Sequence, residues 1–420
     1  MIRFVFLATP LVAAAAALGA QQSRVACDAN NGGITLPQGF CALVVADSLG
    51  PARHFVVAPN GDLFVAIRNR RDTTGGIVAM RDTNGDGRMD VRERFGDNGG
   101  SGIALRGSDL FFGTDEAVLR YSISRGELRP TGAPDTVVGQ LPADRSHRAK
   151  TIALRGNDLF VNIGSPSNAC QLEDRRPQSP GQAPCPELDT RAGIWRFDAT
   201  DKGQRQGDGE RWATGIRNAV AITVHPTTGA LWAAQHGRDN LVQNWPAHFD
   251  TTESAELPAE ELFQVGRGDD FGWPYCFYDG QAKRKVLAPE YGGDGRQVGR
   301  CANVKGPVAA MPGHWAPNGL VFYTGSQFPA RYRNGAFIAF HGSWNRAPRP
   351  QAGYNVVFVP FDKAQAGQYE VFATGFAGDS VQPAAARHRP TGVAVGPDGS
   401  LYISDDRGGR IWRVIARQRR

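Results

Sequence analysis

Residues 55–66 read FVVAPNGDLFVA, two short apolar segments joined by a Pro-Asn-Gly-Asp turn. The Asn-Gly pair allows the positive φ angles that a tight hairpin needs, and the flanking Val and Phe residues favour strands. The same unit of strand, glycine-containing turn and strand occurs six times along the chain. The other copies are IALRGSDLFFG (103–113), IALRGNDLFVN (152–162), ITVHPTTGALWAA (222–234), the stretch around NGAFIAF (334–340) and VAVGPDGSLYIS (393–404).

Several of these hairpins are followed by a third apolar strand. These strands are GIVAMRD (76–82), AVLRYSI (117–123), GIWRFDA (193–199) and GRIWRVIA (409–416). A meander repeated at this interval predicts an all-β fold, a six-bladed β-propeller of four-stranded antiparallel blades. The segment FCALVVAD (40–47) is predicted to close the ring by pairing with the last blade.

The uneven spacing of the hairpins predicts two loop insertions, at about 163–192 and 237–315. Insertions on one face of a propeller build its binding mouth. The second range is long enough to contain a seventh blade, although six blades remain the prediction.

The first twenty residues, MIRFVFLATPLVAAAAALGA, place one Arg before an apolar run that ends in small residues. This layout is typical of a secretory signal peptide, so residues 21–420 are predicted to form a single propeller domain. The alternative is a membrane anchor, but Pro10 and the short run argue against it. The sequence therefore predicts a periplasmic or secreted protein without a membrane span.

An exported chain meets an oxidising compartment, so the six cysteines are predicted to form disulfides. Pairing of sequence neighbours is the simplest arrangement: Cys27–Cys41, Cys170–Cys185 and Cys276–Cys301. Other connectivities remain open. A zinc site is the competing interpretation, but the chain lacks a CxxC spacing.

The net charge is +6, with 47 basic and 41 acidic residues scattered along the chain. Only the stretches RNRR (68–71) and RQRR (417–420) approach a basic cluster, and solvated surface explains both. The charge pattern therefore predicts no nucleic-acid partner.

The segment DTNGDGRMDVRE (82–93) matches a twelve-residue calcium loop. Its predicted ligands are Asp82, Asn84, Asp86, the backbone of Arg88, Asp90 and Glu93, with Gly87 allowing the bend. We predict a structural calcium ion here, without a catalytic role. A solvated Asp- and Gly-rich turn is the alternative.

Loop motifs carry a more specific signal. In chain order they are SHRAKTIAL, GIRNAVAITVHP, AAQHGRDN, DDFGWPYC, WAPNGLVFYTG, AFHGSWNR and RHRPTGVAVGPDGSLYISDD. Together, over residues 38 to 415, they resemble the soluble PQQ-dependent glucose/sorbosone dehydrogenase family. The RDTNGDG string and HGSWNR (341–346) resemble its sorbosone-type branch.

The resemblance implies pyrroloquinoline quinone (PQQ) over the propeller mouth, with a calcium ion at the quinone edge. His147 matches the family's general base and Arg389 a cationic group near the quinone, and both are predicted to be catalytic. The predicted cofactor-binding residues are Arg217, Asn218, His236, Arg387, His341 and Arg346, with Trp344 nearby. Backbone carbonyls of Gly237 and Arg238 are predicted to bind the catalytic calcium.

The implied activity is oxidation of a sugar, a sorbosone-like aldehyde or a polyol by base-assisted hydride transfer, with electrons leaving to an external acceptor. The chain departs from the glucose-oxidising branch in three places. Ala219 follows the Arg-Asn pair instead of Pro, Arg238 replaces the Pro of a Gly-Pro pair, and a cofactor-binding lysine has no counterpart. A binding propeller without redox chemistry and a calcium-dependent propeller hydrolase are the alternatives.

Overall fold

The structure is a computed structural model that describes residues 25–70, 73–363 and 365–417. The predicted signal peptide lies outside the described residues. The strands are, in chain order, β1 (Phe40–Ala46), β2 (Ala52–Val57), β3 (Leu63–Ile67), β4 (Gly76–Arg81), β5 (Val91–Phe95), β6 (Gly100–Arg106), β7 (Asp109–Thr114), β8 (Val118–Ser122), β9 (Asp135–Val138), β10 (Ile152–Arg155), β11 (Asp158–Ile163), β12 (Gly193–Asp198), β13 (Glu210–Thr214), β14 (Ala221–Val224), β15 (Leu231–Gln235), β16 (Glu260–Val265), β17 (Asp269–Asp270), β18 (Cys276–Asp279), β19 (Arg284–Leu287), β20 (Ala309–Met311), β21 (Pro317–Phe322), β22 (Ala336–Phe340), β23 (Asn355–Val359), β24 (Phe361–Asp362), β25 (Gln365–Ala366), β26 (Glu370–Ala373), β27 (Pro390–Val395), β28 (Leu401–Asp405) and β29 (Ile411–Ala416). The α-helices are α1 (Leu241–Asn244) and α2 (Thr251–Glu256). Short 3₁₀ turns cover Asn31–Gly33, Pro186–Asp189, Gln206–Asp208, Pro289–Tyr291, Gly299–Asn303 and Ala330–Tyr332.

Six of the described sheets are the predicted propeller blades. From the innermost strand outward, the blades are β2-β3-β4-β5, β6-β7-β8-β9, β10-β11-β12-β13, β14-β15-β16-β20, β21-β22-β23-β26 and β27-β28-β29-β1. Each is an antiparallel meander, and the short strand β17 adds to the third blade in parallel with β13. The predicted fold class is confirmed.

The first hairpin shows why the repeated unit folds in this way. In the β2–β3 turn, Gly61 has a φ of 90°, a conformation that glycine adopts without steric cost. The flanking residues Val57 and Leu63 face each other across the two strands. The two innermost strands also pair in the other five blades, although a longer connection with a 3₁₀ turn joins β21 to β22.

The core lies between the blades. Six apolar clusters each join two neighbouring blades, and together they follow the ring. The last interface is the most aromatic, with Phe328, Tyr332, Phe337 and Phe372 packed against Phe40 of β1. Burial of these rings stabilises the contact between the fifth and sixth blades.

The ring closes as predicted. Strand β1 pairs with β29, with Phe40 opposite Ala416 and Val44 opposite Trp412. A strand from the start of the described chain therefore completes the blade formed by its end, which leaves fewer open sheet edges.

The predicted insertions differ from the observed ones in one respect. Residues 164–192 do separate β11 from β12, but the range 237–315 contains β16 and β20, two strands of the fourth blade. The excursion is therefore two insertions, one before β16 with α1 and α2, and one between β16 and β20 with the β18–β19 hairpin. The described residues contain no seventh blade.

All three predicted disulfides are present: Cys27–Cys41, Cys170–Cys185 and Cys276–Cys301. Two of them constrain the insertions, and the first ties residue 27 to the ring-closing strand. Among the described helices, none combines the length and the apolar character that a membrane crossing requires.

Candidate active site

The candidate residues lie on the face of the propeller where the innermost strands begin, called here the upper face. His147, Arg217 and Arg389 precede innermost strands, whereas His236 and His341 follow second strands. Because the two strands of a hairpin are antiparallel, the start of one and the end of the other reach the same face. Electrostatic contacts link His147 to Arg217 and His236, and His236 to His341. The fold thus brings these sequence-predicted residues together.

His147 has the arrangement of a general base. Its Nδ1 lies 2.7 Å from the carbonyl oxygen of Ser165, which can only accept, so Nδ1 carries the proton and Nε2 is an open acceptor. Burial, aided by the nearby Arg217 cation, lowers the pKa of His147 to about 3. The backbone has a φ of 50°, and such strain in a residue other than glycine is often found at functional sites.

His341 belongs to a second group around a buried carboxylate. Its Nε2 donates to Asp406 Oδ1 at 2.8 Å, and Arg53 Nη1 donates to Asp406 Oδ2 at 2.7 Å. The side chains of Arg53 and Asp406 are only 6% and 3% exposed. Burial lowers the pKa of His341, although Asp406 opposes the shift. With Nε2 on the Asp406 carboxylate, Nδ1 of His341 has no partner among the described residues.

Arg389 lies beside this group and fixes the loop after β22. Its Nε and Nη2 donate to the carbonyl oxygens of His341 and Gly342, at 2.9 and 2.6 Å. The guanidinium carbon lies 5.4 Å from the ring centre of Tyr354, an aromatic contact that also orients it. Nη1 has no partner among the described residues, so a cationic donor stays available at the mouth.

Arg217 and Asn218 differ in how many of their hydrogen-bond donors remain free to contact a ligand. Arg217 is 3% exposed, and four of its five N–H groups are engaged by protein. They donate to the carbonyl oxygens of Asn168 and Gly237, to Asn168 Oδ1 and to Asp239 Oδ2. Asn218 accepts from Asn162 through Oδ1, while its Nδ2 has no partner in the described part of the chain. Arg217 thus organises the loops of the site, and Asn218 keeps an open donor.

His236 and Gly237 form the wall opposite Arg389. His236 Nε2 lies 3.0 Å from Asn318 Oδ1, and burial lowers its pKa to about 4. The Gly237 N–H donates to Glu260 Oε2 at 2.9 Å, and its carbonyl accepts from Arg217. Burial raises the pKa of Glu260 to about 8, although hydrogen bonds from the backbone N–H groups of Gly237 and Ala316 act to lower it. Hydrogen bonds therefore fix both the N–H and the carbonyl group of Gly237, whose carbonyl is a predicted calcium ligand.

Three predicted arginines are engaged elsewhere. The Arg238 side chain is buried and pairs with Glu290, and Arg346 donates to the carbonyl oxygens of Ala255 and Gly313. Arg387 is exposed and pairs with Asp379. The Arg346 guanidinium thus anchors the insertion that carries α2, and cofactor binding by Arg346 stays a prediction.

The predicted calcium loop lies between β4 and β5, on the face opposite the site. Asp82 accepts from the backbone of Gly85 and Gly87, and Asp90 accepts from Thr83. Glu93 pairs with Arg129. Among the described residues, no group of three or more His, Cys, Asp or Glu side chains is arranged around a shared metal position. Structural calcium at this loop stays a prediction.

Sequence reasoning missed several residues of the site. Arg53 and Asp406 lie 353 positions apart and meet only because the ring closes. Glu260 bonds to Gly237 and carries no recognisable motif. Two signals were available: Asp239, which bonds to Arg217, lies within the quoted string AAQHGRDN, and Asp406 ends the string SLYISDD directly after a second strand.

The upper face offers a set of unpaired groups suited to an anionic, planar ligand. Arg389 Nη1, Arg53 Nη2 and Asn218 Nδ2 are donors without partners within the described residues, His147 Nε2 is an acceptor, and His341 Nδ1 has no partner there either. Guanidinium groups suit carboxylates because they match them in geometry and charge. This donor set fits PQQ, the carboxylate-bearing quinone that the family resemblance implies. The Gly237 carbonyl accepts one hydrogen bond from Arg217 and keeps a second lone pair for a hard cation.

Residues 34–418 match the TrAA12-like family model. The chain belongs to the TrAA12-like family. This agrees with the predicted resemblance to soluble PQQ-dependent sugar dehydrogenases. An uncharacterized protein of Borreliella burgdorferi is 30% identical over 205 residues, 48% of each chain. The PQQ-dependent pyranose dehydrogenase of Coprinopsis cinerea is 26% identical over 239 residues, 48% of this chain and 30% of that protein.

The chain thus spans less than half the length of these curated relatives. Among solved structures, the calcium structure of a Trichoderma reesei family AA12 carbohydrate-active enzyme superposes with a TM-score of 0.74 at 20% identity. That match covers 94% of this chain and 99% of the other. It confirms the propeller fold of the TrAA12-like chain.

Proposed function

We propose that this TrAA12-like protein is a PQQ- and calcium-dependent dehydrogenase that oxidises a sugar, a sugar aldehyde or a polyol and passes electrons to an external acceptor. One observation carries the proposal: the neutral His147 imidazole, with Nε2 open, lies on the same face as the unpaired donors of Arg389, Arg53 and Asn218. A base beside an anion-binding cradle suits alcohol oxidation on a carboxylate-bearing quinone. The family match and the pyranose dehydrogenase relative support this reading.

The chain's own residues would hold and orient the reactants. Arg389 and Arg53 would bind cofactor carboxylate or quinone oxygens, and Asn218 would add a hydrogen bond. PQQ, when bound, supplies the two-electron acceptor, and calcium at the Gly237 and Arg238 carbonyls would add Lewis-acid polarisation. His147 Nε2 would accept the substrate hydroxyl proton, while Ser165 keeps the proton of Nδ1 in place. His341 and His236 line the same mouth and could orient the substrate.

The proposal is tested by reconstitution. Purified protein is incubated with PQQ and calcium, and dye reduction is followed across aldoses, aldehydes and polyols. Turnover that needs both additions and is lost in His147→Ala supports the dehydrogenase. Absence of turnover together with absence of a thermal shift with PQQ would favour the alternative, an exported binding propeller.

Two further parts of the proposal concern stability and location. The 82–93 loop would bind a structural calcium ion, so a chelator should lower the melting temperature of the wild-type protein more than that of Asp82→Asn, which keeps only the calcium at Gly237 and Arg238. The three disulfides suit an oxidising compartment, so we propose that the protein is periplasmic or secreted. Fractionation of the native host tests this location.

A further inference from the structure

A buried series of hydrogen bonds connects the insertion between β16 and β20 to the upper-face site. Gln235 ends β15, and Glu261 is its partner on the neighbouring strand β16. The Arg217 N–H donates to Gln235 Oε1 at 3.0 Å, and Gln235 Nε2 donates to Glu261 Oε1 at 2.8 Å. Lys285, on β19 of the insertion, donates to the same carboxylate oxygen at 3.0 Å. The series therefore runs from the insertion to the backbone of Arg217.

The three side chains of this series are shielded from solvent. Gln235, Glu261 and Lys285 are 5%, 2% and 6% exposed. Lys285 Nζ also lies 2.7 Å from Glu261 Oε2 and donates to the carbonyl oxygen of Phe271 at 2.7 Å. Burial raises the pKa of Glu261, whereas Lys285 and Gln235 act to lower it. Lys285 thus stabilises the ionised form of Glu261, since a buried carboxylate is costly without a counter-charge.

An ionised Glu261 decides how the Gln235 amide is oriented. Gln235 has a donor end and an acceptor end, and the Arg217 N–H requires the acceptor end. A carboxylate can only accept, so it binds Nε2 of Gln235 and leaves Oε1 turned towards Arg217. A neutral group that can donate would permit the opposite orientation, in which two donors meet at Arg217.

The far end of the series meets the groups proposed to hold the cofactor and the cation. Arg217 Nη1 donates to the carbonyl oxygen of Gly237, and the carbonyl of Asn218 accepts from the N–H of His236. A shift of the Arg217 backbone would therefore move the open donor of Asn218 and the predicted calcium ligand together. Among the described residues, the side-chain hydrogen bonds of Glu261 go to Gln235 and Lys285 alone, so an effect on the site passes through Gln235.

We propose that Glu261 is a positioning residue for the upper-face site. Through Gln235 it fixes the Arg217 backbone, and Lys285 of the insertion supplies the charge that holds it. The inference rests on the proposed function and deepens it, because it makes this insertion a determinant of cofactor affinity. A merely structural ion pair would affect stability and leave that affinity unchanged.

Hydrogen exchange of the Arg217 amide tests the coupling without the cofactor. Mass spectrometry with single-residue fragmentation follows this amide in the full chain. Glu261→Gln and Gln235→Met should each speed its exchange roughly tenfold, because the N–H loses its oriented acceptor. Gln235→Met leaves the pair of Glu261 with Lys285 in place. Phe372→Leu is the matched control: it opens a core cavity between the fifth and sixth blades and should leave this exchange unchanged.

A PQQ titration supplies the second readout. Glu261→Gln and Gln235→Met should each weaken PQQ binding about tenfold, whereas Phe372→Leu should bind PQQ like the wild type despite its lower melting temperature. Lys285→Met should act like Glu261→Gln, because an uncompensated buried carboxyl takes up a proton and becomes a donor.

Three results would contradict the positioning role: unchanged exchange of the Arg217 amide in Gln235→Met, faster exchange with unchanged PQQ affinity, or an equal loss of affinity in Phe372→Leu. The wild type separates the two proposals. Absence of PQQ binding by the wild type would contradict the proposed function, whereas the exchange rates would still decide whether Glu261 fixes Arg217.

Discussion

At the scale of single residues, the site depends on imidazoles that are kept neutral. Burial lowers the pKa of His147 to about 3 and that of His236 to about 4, and each ring donates its proton to an oxygen of the protein. A fixed tautomer leaves one nitrogen as an acceptor. The backbone of His147 has a φ of 50°, a strained conformation that is often found at functional sites.

Replacing His147 by Ala should lower kcat about 10²- to 10⁴-fold, because a positioned general base contributes rates of that order. PQQ affinity should remain unchanged, because the imidazole accepts a substrate proton and does not hold the cofactor. Turnover of the reconstituted variant, with a PQQ titration as control, measures both. Full activity of the His147→Ala variant would show that His147 is not the general base.

The rate of substrate oxidation should stay nearly constant as the pH falls from 7 to 5. The lowered pKa of His147 keeps the base deprotonated over this range, whereas an ordinary histidine with a pKa of about 6.5 would lose rate roughly thirtyfold at pH 5. Single-turnover reduction of the bound quinone provides the measurement. A steep acid limb near pH 6.5 would contradict the assignment.

The melting temperature should be measured at each pH of this rate profile, because the buried histidines also make stability depend on pH. The folded-state pKa of His147 lies below that of the unfolded chain, so its contribution to stability is present above pH 6.5 and falls as the pH drops towards 3. His54 and His236, each with a pKa lowered to about 4, act in the same direction.

Replacing Asp406 by Asn should destabilise the protein by about 3 kcal/mol, because it leaves the buried Arg53 cation without its carboxylate. Denaturant unfolding at pH 7 gives the value. Asp379→Asn is the matched control, since Asp379 pairs with Arg387 on the surface and should be neutral. Equal stability of the two variants would show that the buried pair does not stabilise the fold.

Individual site residues were predictable from sequence only where a local string identified them. His147 in SHRAKT and Arg389 in RHRPTG both precede innermost strands, on the upper face, and their catalytic roles stay predictions. Their partners, the carbonyl oxygens of Ser165 for His147 and of Gly342 for Arg389, lie 18 and 47 positions away in the chain, so the local strings do not reveal these contacts. Arg346 has a motif, but its direction depends on an insertion whose shape the sequence does not reveal.

At the scale of elements, the insertion between β11 and β12 forms one side of the site. Asn168 in this loop holds Arg217 through both its carbonyl and its side-chain oxygen. The Cys170–Cys185 disulfide closes the loop directly after Asn168. A well-ordered loop therefore fixes the position of the Arg217 guanidinium.

Converting Cys170 and Cys185 to Ser should lower stability by about 3 kcal/mol in the loop-entropy model. It should also weaken PQQ binding about tenfold, because Arg217 loses its fixed partner. Thermal unfolding and a PQQ titration report the two effects. The control is the Cys27→Ser/Cys41→Ser variant, which removes a disulfide that lies outside this insertion. The two disulfides close loops of nearly equal length, 14 residues for Cys27–Cys41 and 15 for Cys170–Cys185. This control variant should lower stability without changing affinity, and equal affinities of the two double variants would contradict the coupling.

Strands were more predictable than insertions at this scale. Hairpins with Asn-Gly or Asp-Gly turns, such as β2–β3 and β27–β28, follow from local sequence. Strands β16 and β20 were hidden, because the β18–β19 hairpin separates two neighbours of one blade and breaks the repeat. Long-range pairing of this kind has no periodic signal.

At the scale of the whole molecule, the ring separates two different faces. A cavity of about 900 Å³ lies between the innermost strands and opens on the lower face near Pro59, Pro226 and Asp398. His54 and Asn318 lie between this cavity and the site: His54 Nε2 is 2.6 Å from the Asn318 carbonyl, and Asn318 Oδ1 meets His236. The candidate site residues therefore lie on the upper face, whereas this cavity opens on the lower one.

Equilibrium binding of PQQ to the purified protein, followed by calorimetry and a thermal shift, tests the assignment of a quinone site to the upper face. We expect one PQQ per chain, strongly weakened binding in Arg389→Ala, and unchanged binding in Arg413→Ala, an arginine of the same blade that pairs with Asp398 near the lower face. Absence of binding, or equal loss in both variants, would contradict the account.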